Sequence, residues 1–509
     1  LLFCCFRTYL PFFQTRPSTQ LQKARDFEAQ YGPHIPAEER PAFHATPTIG
    51  WMNDPNGFSF YQGKCHLFYQ YHPYSNEWGP MHWGHLTTED FIHWERLPAA
   101  LAPDQSCDAG GCFSGGAVEL PDGQHLLMYT GVQRERDEEG VLRDIQTQCV
   151  AIGDGLNYEK YSSNPVLDKN DLPEGGSAAD FRDPKVWREA DGTYYVVIGN
   201  RTPDGSGAIL LYQSADCLKW DFVRTLDASH NQYGKIWECP DFFPLDGRQI
   251  LLTSPQDMYP IGLEFHAGNN ALCLLGDCVP HSMEFHRQTV QAVDYGLDFY
   301  APQTLLAPDG RRIMIAWMQN WSTAGAKPAH CRWFGQMTLP RELFLRDGRL
   351  CQRPVRELDA CRGERILHQN IPVCGEVNLP GVQGRILDMI VTIRPTGSEG
   401  YRWFRIHVAK DGTHDTILRY KPNESTLKID RTRSGLPHDI VHTRSFLVRP
   451  QGGALKLRII LDRFSVEIFV NDGEQAASSV IYTRQEADAI TFEADGQAMI
   501  DVEKYDLTV

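Results

Sequence analysis

Three acids carry the chemistry this sequence could perform: Asp54, followed by Pro55; Asp183, followed by Pro184; and Glu238, followed by Cys239-Pro240. A lone Asp-Pro most often caps backbone amides. Here each acid lies nine residues before a turn glycine (Gly63, Gly192 and Gly247), and the same nine-residue frame recurs from Ser114 to Gly123 and from Ala301 to Gly310. Four of the five turns are Asp-Gly, a strong hairpin signal. Proline has no N–H for a central ladder and belongs at strand starts or sheet edges, and the residue before it is biased toward extended backbone. Five such strand starts around one axis would gather the three acids into one pocket. Carboxylates so placed cannot all be relaxed anions, because like charge and desolvation raise at least one pKa. An ionised nucleophile beside a protonated acid is the pair that glycoside cleavage requires.

The elements that must position these acids are strands. Between about residues 50 and 345 helical periodicity is nearly absent, and apolar runs such as Tyr194-Tyr195-Val196-Val197-Ile198 and Ile313-Met314-Ile315-Ala316-Trp317 follow the turns. The five frames start 60, 69, 55 and 63 residues apart, room for four strands with generous loops, which is the size of a propeller blade. A sandwich with coincidental hairpins has no reason to hold one offset five times. Past residue 350 the repeat stops. Alternation with a period of two, as in Leu455-Lys456-Leu457-Arg458-Ile459, then predicts a β-sandwich that braces the propeller flank. Ahead of the blades, Ser18 as a cap, Leu21, Ala24, Phe27 and Tyr31 on one face, and Gly32 as a stop predict a helix between Pro17 and Gly32. The expected division is an N-terminal segment with a helix (1–37), a five-bladed β-propeller (38–350), a linker (351–365) and a C-terminal β-sandwich (366–509), all-β apart from that short helix.

Bulk composition narrows the partners. With 49 Lys+Arg against 65 Asp+Glu the formal charge is -16, which disfavours nucleic acid and anionic membrane and suits a small carbohydrate. The 11 Trp and 20 Tyr supply flat rings of the kind that line sugar sites, although core packing uses most of them. The 14 Cys include no C-x-x-C pair and no zinc spacing, so reduced buried thiols, a cytoplasmic location and no metal or cofactor are expected. No apolar run reaches membrane-spanning length. The opening Leu1-Leu2-Phe3-Cys4-Cys5-Phe6 is broken by Arg7 and reads as an ambiguous or truncated end rather than a signal peptide.

Taken together and in this order, Trp51-Met52-Asn53-Asp54-Pro55-Asn56-Gly57, Phe113-Ser114-Gly115, Phe181-Arg182-Asp183-Pro184 and Trp237-Glu238-Cys239-Pro240-Asp241 closely resemble glycoside hydrolase family 32, the invertases, fructanases and sucrose-6-phosphate hydrolases. The resemblance runs from about residue 20 to the C-terminus, and the family's five-bladed propeller plus sandwich agrees with the repeat. It implies Asp54 as the nucleophile on the anomeric carbon of a β-fructofuranosyl unit, Glu238 as acid and then base, and Asp183 as transition-state stabiliser. The two reacting carboxyls are then expected at about 5 Å, the spacing of retaining enzymes. It also implies hydrogen bonds to fructose from Asn53 and Gln70, apolar walls from Trp78 and Trp317, contacts from Phe113 and Ser114, orientation of the acids by Arg182, and a supporting place for Tyr300. Where the family commonly has Phe-Ser-Gly-Ser, this chain has Phe113-Ser114-Gly115-Gly116 and lacks a hydroxyl.

The expected activity is hydrolysis of sucrose, its 6-phosphate or short fructo-oligosaccharides. The alternatives are fructosyl transfer to a sugar acceptor and non-catalytic carbohydrate binding. Arg134, Arg136, Lys327 and Arg332 are available to a phosphate, but the sequence alone assigns no phosphate site.

Overall fold

Proline near the start of an inner strand suits a sheet edge, and four of the five inner strands carry one there, at Pro55, Pro184, Pro240 and Pro302, while the second has none. The computed structural model describes residues 16–136, 139–279, 282–328, 331–397, 400–437 and 439–509; the apolar opening and its Cys4-Cys5 pair lie outside them. Five antiparallel sheets follow one another, led by the inner strands Gly50–Tyr61, Gly111–Glu119, Arg182–Arg188, Trp237–Leu245 and Tyr300–Leu306. Each inner strand packs on the next and the fifth packs on the first, closing a five-bladed ring. The short strand Trp333–Phe334, inserted within blade 5, pairs in parallel with Gly50 and Trp51 and ties the last blade to the first.

Every inner strand carries a bulge near its start, where two residues oppose one on the partner strand or the register slips by one. Asp183, Cys239 and Ala301 occupy the same place in these bulges and all have left-handed backbone, with φ of 67°, 48° and 53°. This revises the nine-residue frame. By ladder register Glu238 matches Arg182 and Tyr300, the residues just before the bulge, and Cys239 is the partner of Asp183. The turn glycines misled because hairpins differ in length: Leu245 pairs with Arg248 across two residues, whereas Arg188 pairs with Tyr194 across five.

Gly116 has a structural reason. A Cβ there would stand 3.0 Å from Pro184 O and 3.1 Å from Val186 N, so its absence lets the inner strand of blade 3 approach blade 2 closely.

The helix runs Thr19–Tyr31 with Ser18 capping Leu21 N. Leu21 and Ala24 are buried as expected, but Glu28 rather than Tyr31 completes the buried face, its carboxylate accepting from Ala99 N at 2.9 Å. The last strand of blade 5 spans Arg349–Pro354 and the first strand of the second domain begins at Arg362, so ordered strand occupies much of the stretch read as a linker. That second domain is a β-sandwich. The long strand Ala489–Leu507 pairs with Arg362–Val377 along its length, with Tyr401–Lys410 through its first half and with Leu387–Pro395 through its second, joining the two layers. Residues 295–298, between blades 4 and 5, hydrogen-bond to Ala476 and Ser478 of the sandwich and fasten the domains together.

Candidate active site

The bulged strand starts turn their side chains into a cavity of about 430 Å³ at one mouth of the ring. Asp54, Asp183 and Glu238 all face it, with Asn53, Gln70, Trp78, Phe113, Ser114 and Arg182. A second cavity, of about 300 Å³, lies between the blade 5 insertion and the sandwich and holds none of the three acids.

Ladder register explains the hydrogen bonds. The three residues before the bulges of blades 3, 4 and 5 form a chain: Arg182 Nε donates to Glu238 Oε1 at 3.0 Å and Tyr300 O–H donates to Glu238 Oε2 at 2.5 Å. The bulge residues form another, in which Cys239 N donates to Asp183 Oδ2 at 2.9 Å. Across the ring, Ser114 O–H donates to Asp54 Oδ2 at 3.2 Å, and the Cys239 thiol lies 3.6 Å from Asp54 Oδ2 and 3.5 Å from Asp183 Oδ2. Cys239 is fully buried and burial pushes its thiol well up, so it packs between the acids as a neutral group. Asp54 Oδ1 is buried without a hydrogen-bond partner.

The electrostatics follow from burial and crowding. Desolvation, then the charges of Glu238 and Asp183, push the Asp54 carboxyl up to about 7 against the hydrogen bonds of Asn53 and Ser114. Desolvation likewise lifts Asp183 to about 6, with Arg182 opposing and Glu238 assisting. Arg182 keeps its charge, also meeting Gln146 at 3.2 Å and Asp180 at 3.3 Å.

Two expected residues stand apart from the cavity wall. Tyr300 is buried and reaches the site through Glu238. Trp317 is buried and packs edge-on against Trp321 at 5.0 Å, and it is Trp321 that faces the cavity. A tryptophan ending an apolar strand reads alike in sequence whether it faces core or cavity. Gln146, Gln256, Asp257 and Asn269 also line the wall and carry no repeat signal. The last three sit on the blade 4 loop between Pro255 and Leu272, which is braced by bridges Met258 to Gly268 and Ile261 to Phe265. Trp321 lies four residues past the strand end at Trp317 and opens the 3₁₀ turn Trp321–Thr323 of the blade 5 insertion.

A closed propeller that gathers three carboxylates in one mouth, Asp183 buried and Asp54 and Glu238 half-buried, with a sandwich on its flank, defines a carbohydrate-active enzyme. The chain belongs to glycosyl hydrolases family 32: the profile of the family's N-terminal domain matches residues 44–354 and that of its C-terminal domain residues 357–508. It is a glycoside hydrolase. It is 39% identical to a raffinose invertase of Escherichia coli, over 90% of this chain and 93% of that one. It is 38% identical to a sucrose-6-phosphate hydrolase of Zymomonas mobilis, over 94% of each. Among solved structures, a family 32 β-fructofuranosidase of Bombyx mori superposes with a TM-score of 0.82 at 32% identity, covering 97% of this chain and 99% of that one. Among the described residues no helix is long and apolar enough to cross a membrane.

Proposed function

We propose that this enzyme is a retaining β-fructofuranosidase acting on sucrose or related fructosides by double displacement. The observation that carries the reading is Asp54: it lines the cavity shared with Glu238, Ser114 holds its Oδ2, and its Oδ1 is buried with no hydrogen-bond partner or cation to compensate it. The Asp54 carboxylate attacks the anomeric C2 of the fructofuranosyl unit as the bond from C2 to the leaving oxygen breaks, and Glu238 gives that oxygen its proton. Water then attacks C2, surrenders a proton to Glu238 and frees Asp54, so two inversions restore the configuration. Asp183, with one oxygen held by Cys239 N, accepts hydrogen bonds from fructose hydroxyls while positive charge develops on the ring. A proton on Glu238 removes one of the charges that hold Asp54 up, so protonating the acid favours ionisation of the nucleophile. Arg182 and Tyr300 fix both oxygens of Glu238, Asn53 and Gln70 bind sugar hydroxyls, and Trp78, Phe113 and Trp321 supply the apolar wall.

Relatives support the substrate class. The matching proteins are called raffinose invertase and sucrose-6-phosphate hydrolase, and a variant of the Bombyx mori enzyme was solved in complex with sucrose. The test is to follow sucrose cleavage by NMR. Equal glucose and free fructose, with β-fructofuranose formed first, is expected. An α-anomer first, or no cleavage of any fructoside, contradicts the reading, and glucose in excess over fructose indicates transfer.

A further inference from the structure

We propose that, of the fructosides open to a β-fructofuranosidase, this site selects those with a neutral leaving group and disfavours a phosphorylated one. The inference rests on the function proposed above and adds the charge of the substrate. The cavity wall carries four carboxylates, Asp54, Asp183, Glu238 and Asp257, against one cation, Arg182. Even with one proton held among the acids, the wall keeps a net charge of about −2.

That one cation is already engaged. The Arg182 guanidinium is used by Glu238, Gln146 and Asp180 at 2.9 to 3.3 Å. Two lysines stand near the rim, Lys235 in an exposed ion pair and Lys327 held by backbone and side-chain oxygens. Lys235 Nζ lies 3.2 Å from Asp257, and Lys327 Nζ donates to Asn76 O and Oδ1 at 3.0 and 3.1 Å, close to Glu77 and next in sequence to Trp78. A phosphate would have to draw one of these cations from its present acceptors while approaching the carboxylate of Asp257. Asp257 is well exposed and its repulsion is screened by solvent, so the stronger discrimination comes from Asp54, Asp183 and Glu238, which are partly or wholly removed from solvent.

The other groups on the outer wall suit hydroxyls. Gln256 and Asn269 offer amide donors and acceptors without charge, and Trp78 presents a ring that is 47% exposed. The chain's charge of -16 adds a long-range term that works against a dianion before contact.

The experiment compares kcat/KM on sucrose and sucrose-6-phosphate at low and raised salt, for the native enzyme and for Asp257→Asn. Sucrose is expected to lead by about tenfold or more at low salt. Salt should narrow that lead by screening, and Asp257→Asn, which removes a wall charge and releases Lys235, should narrow it several-fold. Sucrose-6-phosphate cleaved as well as sucrose, or better, overturns the charge inference and leaves the hydrolase reading standing. A lead that salt does not change contradicts its electrostatic origin. If neither sucrose nor any neutral fructoside is cleaved, both readings fall together.

Discussion

The mouth of the propeller and its seam with the sandwich both bury carboxylates, and they treat them in opposite ways. At the seam, His44 bridges Asp462 and Glu467 at 2.7 Å each, Arg341 joins Glu467 to Asp294, and Arg431 meets Asp298, all with side chains almost wholly removed from solvent. Burial alone would raise Asp462 and Glu467, but His44, with Arg341 for Glu467, holds both below the usual carboxylate range. Asp294 is the member that burial still pushes up against Arg341. At the mouth, Asp54 has no cation and one unpartnered oxygen, so burial and like charge prevail. The seam uses buried charge to fix how two domains meet, and the mouth leaves it uncompensated, where it is reactive.

The comparison predicts that the two regions separate activity from stability. The largest effect is expected for Asp54→Asn, which should lower turnover of every fructoside by roughly 10⁴-fold or more while holding or raising Tm. The sign follows from linkage: an acid whose folded pKa lies above its unfolded value destabilises the fold as pH rises through that range, so removing its charge near neutrality relieves the fold. A large loss of Tm would place Asp54 with the structural acids. Glu238→Ala should lower sucrose cleavage by about 10² to 10⁴ and cost much less on substrates whose leaving group needs no proton. Equal losses on both would remove Glu238 as the acid. In Glu238→Gln, loss of a neighbouring charge should move the acidic limb of the remaining activity to lower pH, because Asp54 then ionises more readily.

At the seam the expectation reverses. Arg341→Ala leaves Glu467 and Asp294 buried without their shared cation and should destabilise by about 3 to 5 kcal/mol, read by denaturant unfolding, while the cavity wall keeps its composition. The smallest effect is a pH dependence. The folded pKa of His44 is raised to about 9, because its two carboxylates outweigh burial. Its contribution is therefore complete below the unfolded histidine pKa and is lost as pH rises through about 9, a matter of a few kcal/mol. A Tm that is flat across this window, or unchanged in its alkaline slope by His44→Gln, would break the seam half of the comparison.

Much of the architecture was legible because its signals are local. Turn glycines and apolar runs recur in each blade and X-Pro steps in four of the five, and the steps at Asp54, Asp183 and Cys239-Pro240 mark strand starts that only a closed ring brings together. Register was harder to read. The nine-residue spacing to a turn glycine pairs Glu238 with Asp183, but hairpin length differs between blades, and ladder pairing sets Glu238 beside Arg182 and Tyr300. Trp321, Asp257 and Asn269 escaped because they lie on insertions outside the repeat, where only tertiary contact decides what faces the cavity. The seam was invisible for the same reason: His44 and Glu467 are separated by most of the chain, and neither sits in a motif.

The central claim is that the least compensated carboxylate of the mouth is the one that reacts. Rapid acid quenching during sucrose turnover, followed by proteolysis and peptide mass analysis, tests it directly. A single fructosyl adduct on the peptide containing Trp51 to Gly57, carried by Asp54, is the expected result. An adduct on Asp183 or Glu238, or α-fructose produced with no adduct at any quench time, would contradict it.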